Sequence, residues 1–195
     1  MQKTLADYGA GHHVTEVYSP PRVTTWASRM KLTPGLAFDL TGLDPEDGRP
    51  WDFNDPNKAA KARRWIEDNK PLLLIGSPMC AAFSQMNNIN FSRMSPQDVK
   101  DVVEYGTRHL DFCLSLYRMQ MRNGLYFLHE HPAQARSWQL DSVCRIARRP
   151  DVCTVVGDMC RFGMQISDKD GHVNLVRQRT KFMTNAPEVA SALSR

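Results

Sequence analysis

Leu72-Leu73-Leu74-Ile75, running straight into Gly76-Ser77-Pro78-Met79-Cys80-Ala81-Ala82-Phe83-Ser84, is the stretch on which the fold turns. Four aliphatic residues bounded by Pro71 and Gly76 have strand length, and Gly76 and Pro78 stop them from continuing as a helix. A buried-type strand that enters a tight Gly/Pro loop sets the cysteine at the strand's carboxyl end. There it meets ligand rather than core. Beyond this loop Ser95-Pro96-Gln97-Asp98 is a capped helix start, with Ser95 as cap and Pro96 in the first turn. Val99, Val103, Gly106, Leu110, Cys113 and Leu116 then keep helical spacing to about Arg122, where Asn123-Gly124 ends the helix.

The same alternation extends both ways. Upstream, Val14 to Tyr18 reads as a strand closed by Ser19-Pro20-Pro21, Thr24 to Met30 as a helix, and Leu36 to Leu40 as a second strand. Thr41 to Asp55, rich in Gly, Pro and Asp, is loop. Asp55-Pro56 opens a helix that runs to about Asn69. Its basic side (Lys58, Lys61, Arg63, Arg64) reads as a solvated face. Downstream come a strand over Leu125 to Leu128, a helix over Ser137 to Arg148 and a strand over Val152 to Val156. A hairpin follows, Met164 to Ser167 with Val173 to Val176, turning at Lys169-Asp170-Gly171. Lys181 to Thr184 closes the pattern. Strands alternating with helices of ten or more residues predict an α/β fold with a mainly parallel sheet and a C-terminal antiparallel hairpin. In such sheets ligands bind at the carboxyl ends of the strands.

Composition sets the outer bounds. The 195 residues fit one domain spanning 1–195, and 42% hydrophobic with 24% charged residues is ordinary globular usage. No apolar run approaches the roughly 18 residues of a membrane span, and Met1-Gln2-Lys3-Thr4-Leu5 lacks a signal-peptide core, so no membrane partner and an intracellular setting, cytoplasm or nucleus, are expected. Five cysteines, an odd number with no C-x-x-C pair, argue against a disulfide framework and a structural zinc site. The net charge of +4 suits a polyanion partner only weakly. Arg93, Lys100 and Arg108 are the better candidates for phosphate contacts, and polar Gln85 to Met94 has the character of a lid or of an ordinary surface loop.

Chemistry concentrates in three places. A thiolate at Cys80 can attack an electrophilic carbon, although a lone cysteine is far more often a small apolar filler. Phe127-Leu128-His129-Glu130-His131-Pro132 sets a carboxylate between two histidines in the loop expected after the next strand. Such a glutamate can act as a proton donor if its pKa is raised, and is otherwise a solvated side chain. His129 and His131 would share one face of a strand, but no third ligand stands at a recognisable spacing, so no metal is expected. Near the end, Phe162-Gly163-Met164-Gln165 precedes Arg177-Gln178-Arg179, where R-x-R spacing by itself is surface charge.

Their order along the chain resembles that of the DNA cytosine-5 methyltransferase family, from Val14 to about Thr184. Gly76 to Ser84 is similar to that family's G-x-P-P-C-x-x-F-S nucleophile loop, Phe127 to His131 to its F-x-x-E-N-V motif, and Arg177-Gln178-Arg179 to the end of its Q-x-R-x-R motif. The resemblance implies a Rossmann-like methyltransferase fold that binds S-adenosyl-L-methionine. It implies Cys80, Glu130, Arg179 and Arg177 as catalytic residues. Cofactor contacts would come from Tyr18, Ser19, Asp39, Asp52 and Pro78. DNA, or another pyrimidine-containing nucleic acid or nucleotide, is the implied acceptor, with a separate target-recognition domain or subunit as a further partner. Three departures stand out: the loop after the first strand reads Tyr18-Ser19-Pro20-Pro21-Arg22 without glycines, His131-Pro132 follows Glu130 where the family has Asn-Val, and no reading domain follows Arg179. A catalytically degenerate module binding nucleic acid or protein, and a pyrimidine-modifying enzyme with another one-carbon donor, are the alternatives.

Overall fold

A computed structural model describes residues 11–85 and 87–194. Its sheet is built from β1 (Val14–Val17), β2 (Pro34–Phe38), β3 (Leu73–Gly76), β4 (Tyr126–Pro132), β5 (Cys153–Asp158) and β8 (Arg179–Thr184), in the order β2-β1-β3-β4-β8-β5. β2, β1, β3 and β4 run parallel, and β8 is antiparallel to both β4 and β5. β6 (Gln165–Ser167) and β7 (Val173–Leu175) form the separate antiparallel hairpin expected from the sequence. No helix among the described residues is long and apolar enough to cross a membrane.

Helices cover both faces. α2 (Pro56–Asn69), α4 (Pro96–Arg122) and α5 (Asp141–Ala147) lie on one. There Ile66, Leu110, Leu114 and Tyr117 close the main core against Val17, Leu74, Phe127 and Met183. The capping readings hold: the Asp55 carboxylate accepts from Asn57 N, and the Ser95 hydroxyl from Asp98 N at 3.1 Å. Among the described residues the other face carries only short α1 (Val23–Ala27, prolonged by the 3-10 turn Ser28–Met30) and α6 (Pro187–Leu193), with a small core of Val14, Ala27 and Ile75. α3 (Asn87–Phe91) falls inside the stretch read as a lid or loop.

Four expectations change. β2 begins two residues early and ends at Phe38, which leaves Asp39 and Leu40 in the loop. The helix expected over Ser137 to Arg148 is broken: a 3-10 turn, Arg136–Gln139, precedes α5, and Leu140 between them is extended. β4 runs four residues past Leu128, so His129, Glu130 and His131 stand in a strand rather than a loop. Lys58 and Lys61 are not a solvated face. Lys58 is buried with its ammonium 2.6 Å from Asp44 and 2.7 Å from Asp47, and Lys61 lies 2.6 Å from Asp44. Burial alone would raise the pKa of Asp44, but the two ammonium groups hold it below the usual carboxylate range. The pair clamps the Asp44–Asp47 loop onto α2, beside Trp51.

Strand order fixes where ligands enter. From β1 the chain goes to β2 on one side and to β3 on the other, so the crevice at the carboxyl ends of β1 and β3 is a topological switch point. The Cys80 loop leaves β3 there.

Candidate active site

Two close approaches shape the nucleophile loop. A Cβ on Gly76 would collide with the Tyr117 hydroxyl and the Cys113 sulfur, and one on Gly106 of α4 would collide with Ala82. Glycine at both lets the end of β3 and the turn Ala81–Phe83 seat directly on α4. The Tyr117 hydroxyl donates to the Gly76 carbonyl at 3.1 Å and stands 3.0 Å from His129 Nδ1. Cys113 Sγ donates to the Tyr117 hydroxyl at 3.0 Å. This buried cluster fixes where β3 ends.

His131 fixes the loop beyond it. Its Nε2 lies 2.7 Å from the Pro78 carbonyl and its Nδ1 2.7 Å from the Ser137 hydroxyl. A carbonyl only accepts, so Nε2 carries the proton, whereas the Ser137 hydroxyl can donate to Nδ1 or accept from it. Burial decides for the neutral ring, with Nδ1 accepting, by lowering the His131 pKa to about 4 against the Pro78 hydrogen bond. His129 and His131 share one buried face of β4, with ring centroids 4.9 Å apart.

Glu130 points to the opposite face, and here the two central residues come together. The hydroxyl of Ser77, the residue just after β3, donates to it, and Arg22 at the start of α1 supplies the nearby positive charge. Burial nevertheless raises the Glu130 pKa, with Ser77 and Arg22 opposing. Cys80 is half-buried, and its thiol is pushed up first by burial and then by the Glu130 charge. The Glu130 charge therefore acts directly on the Cys80 thiol. A thiol beside a carboxylate and a thiolate beside a carboxylic acid differ only in which atom holds the proton.

The remaining catalytic expectations are not brought to this point. Alternation along β8 sets Arg179 on the face opposite Glu130, whose partner is Phe182. Arg179 and Arg177 both turn to Asp158 at the end of β5, at 3.7 and 3.5 Å, and stay exposed. Arg22, in the glycine-free loop after β1, is the cation beside Glu130 instead.

Beside the nucleophile loop lies a cleft of about 170 Å3, lined by Tyr18, Phe38, Asp39, Trp51, Asp52 and Phe53 together with Ser77, Met79 and His109. Three of the five expected cofactor contacts, Tyr18, Asp39 and Asp52, are in it. Ser19 is not: it is buried and donates to Glu16 at 2.9 Å, part of a knot in which the Glu16 carboxylate also accepts from Thr24 N and Oγ1 at the start of α1. Nor is Pro78, which is buried with its carbonyl taken by His131. Asp39 accepts from Thr41, and Asp52 from Asn54, each through Oδ1. Their second oxygens remain for a ligand.

Tyr18 narrows this cleft. Its φ of 58° is in the left-handed region that favours glycine, and its ring stands edge-on to Phe53, with centroids 5.0 Å apart. Its hydroxyl lies 2.9 Å from His109 Nδ1, and His109 Nε2 lies 3.2 Å from Asn54 Oδ1. Burial, then Arg108, lowers the His109 pKa, while Asp52 opposes. His109, Asn54 and Phe53 carried no sequence signal, since α4 spacing marks His109 only as a helix residue.

Fold and site together define a mixed α/β protein with a mostly parallel six-stranded sheet and a small antiparallel hairpin. It bears a cysteine–glutamate pair beside a switch-point cleft. No protein-family model matches the chain, and neither does any curated protein.

Proposed function

We propose that the chain is a pyrimidine-modifying enzyme with a Rossmann-like methyltransferase fold, transferring a one-carbon group to carbon 5 in the manner of the DNA cytosine-5 methyltransferases. The observation that carries this reading is that Cys80, in the loop leaving β3, lies close enough to Glu130 on β4 for the carboxylate charge to raise its thiol pKa. Carbon 5 of a pyrimidine is a poor nucleophile. Addition of the Cys80 thiolate to carbon 6, assisted by a proton from the Glu130 carboxyl to ring nitrogen 3, converts the ring to an enamine. The raised pKa of Glu130 keeps that proton available nearer neutrality. Once Glu130 is neutral, the charge that opposes thiolate formation at Cys80 is gone. After transfer, loss of the carbon-5 proton and departure of the thiolate from carbon 6 restore the aromatic ring. In a duplex the base must first leave the stack, at about a few kcal/mol. Such an acceptor places the enzyme inside the cell, in cytoplasm or nucleus.

S-adenosyl-L-methionine, when bound, supplies the electrophilic methyl group. The residues present fit its nucleoside half: Asp39 and Asp52 each offer a free carboxylate oxygen, and Phe38, Trp51 and Phe53 give an aromatic wall. They do not fit its methionine half with the Tyr18 ring in place. At about 170 Å3 the cleft is below the roughly 300–1,000 Å3 usual for small-molecule sites. Tyr18 thus favours a second reading, the same nucleophile served by a different donor such as a folate-borne one-carbon unit or acting on a free nucleotide. A degenerate, non-catalytic module would not need the Cys80–Glu130 pair.

The test is a duplex carrying 5-fluorocytosine, incubated with and without S-adenosylmethionine and run on a denaturing gel. Fluorine cannot leave as the proton does, so a methylated intermediate stays joined to the protein. A cofactor-dependent adduct that vanishes in Cys80→Ser supports the methyltransferase reading. No adduct, together with no S-adenosylmethionine binding in calorimetry, overturns it.

A further inference from the structure

The far end of α4 carries a feature that the Cys80 site does not use. Arg118, Arg145 and Arg149, with Met121 and Ile146 between them, line one groove of about 410 Å3 between α4 and α5. A second hollow of about 300 Å3 continues it from Arg118, Met121 and Arg149 to Arg122. Arg118 and Arg122 stand one helical turn apart on α4, Arg145 lies in the last turn of α5 with Arg149 just beyond it, and all four side chains are exposed. Like charges at that spacing repel. Among the described residues only Arg149 has an ion pair, with Asp151 at 3.0 Å. Arg122 alone shares a further hollow with acids, Glu67 and Asp68. The repulsion therefore goes largely uncompensated within the fold, as expected where an anion is the missing partner.

We infer that this groove binds the phosphodiester backbone of the nucleic acid whose base is presented to Cys80. The inference rests on the proposed acceptor. Guanidinium forks match phosphate oxygens two at a time, and the apolar floor of Met121 and Ile146 supports their aliphatic stems. Position fits as well. Gly106 packs on the nucleophile turn at Ala82, and Arg118 and Arg122 follow about 18 and 24 Å further along the helix, at about 1.5 Å per residue. Those distances correspond to about five to seven base pairs of duplex at about 3.4 Å each. The groove would thus hold the backbone in a sequence-independent way while the base is worked on elsewhere.

The experiment is fluorescence anisotropy with a labelled duplex of about 20 base pairs, titrated at several salt concentrations. Four proteins are compared: the wild type, Cys80→Ser, the groove variant Arg118→Gln/Arg145→Gln/Arg149→Gln, and a charge control, Lys31→Gln/Arg64→Gln/Lys169→Gln. The groove variant should bind roughly tenfold or more weakly, with its log–log salt slope reduced by about 2.7, near 0.9 per lost phosphate contact. Cys80→Ser and the charge control should keep the wild-type slope. An unchanged slope in the groove variant overturns the inference, as does an equal loss in the control or no binding by the wild type. The outcome is separable from the catalytic reading: arginine-dependent binding with no 5-fluorocytosine adduct would retain the groove and discard the methyltransferase.

Discussion

His131 holds Pro78. The imidazole Nε2 donates to the Pro78 carbonyl at 2.7 Å, two residues ahead of Cys80, while Ser137 orients the ring from behind. This hydrogen bond ties the nucleophile loop to β4, the strand that also carries Glu130. Burial keeps the ring neutral, with the Pro78 hydrogen bond opposing it only in part.

Acid should therefore loosen the site and the fold together. The unfolded chain takes up a proton at His131 near pH 6.5, whereas the folded chain resists to about 4. Between those values unfolding is accompanied by proton uptake, so the stability from His131 is present above pH 6.5 and lost as pH falls through 4. A shift of about 2.5 units corresponds to about 3 kcal/mol. His129, also held neutral by burial, adds in the same direction, while Glu130, with its raised pKa, opposes both. Urea midpoints at pH 7 and pH 4 should differ accordingly, and His131→Gln should be less stable at pH 7 with a flatter dependence. A wild type equally stable at both pH values would contradict the neutral assignment.

Glu130→Gln separates charge from proton donation. Removing the carboxylate takes away the charge that, after burial, raises the Cys80 pKa. Alkylation of Cys80 at pH 7 should be faster than in the wild type, with its pH profile displaced to lower pH. Adduct formation with 5-fluorocytosine should fall by about 10²–10⁴-fold, since an amide cannot deliver the proton to ring nitrogen 3. Parallel loss of both reactions would mean that Glu130 only supports the loop.

Tyr18 is the switch between the two donor readings. Tyr18→Gly relieves a left-handed tyrosine, worth about 1–2 kcal/mol, and removes a ring packed on Phe53 and His109, worth about 3–5 kcal/mol. The variant should be less stable by about 2–3 kcal/mol. It should bind S-adenosylmethionine more tightly than the wild type, by roughly tenfold or more. If calorimetry finds no binding to either protein, the cleft serves another ligand.

The fold was legible wherever local chemistry decides it. Asp55-Pro56 and Ser95-Pro96 placed two helix starts correctly, because capping and proline geometry are local. Lys169-Asp170-Gly171 marked the hairpin turn for the same reason, with Gly171 at φ 83°. Cys80 was legible from its strand end. What escaped depends on pairing across the chain. β4 extends through His131 because β8 returns antiparallel beside it as far as Thr180, and no signal near Leu128 reports that partner. Lys58 read as solvated because Asp44 and Asp47, which bury it, are more than ten positions away. Arg179 matched a motif by spacing, yet strand alternation turned it to Asp158.

That last difference can be put to measurement. Arg22, not Arg177 or Arg179, is the cation that lowers the Glu130 pKa against the effect of burial. Arg22→Gln should therefore raise that pKa further and move the Glu130-linked inflection in the Cys80 alkylation profile to higher pH. Arg179→Gln removes only an exposed partner of Asp158, with 58% of its side chain accessible, and should leave the inflection in place. The 5-fluorocytosine adduct adds a second readout. If Arg179→Gln abolishes the adduct while the alkylation profile stays unchanged, Arg179 reaches the base only when nucleic acid is bound. If both readouts match the wild type, the role that the motif implies for Arg179 has passed to Arg22.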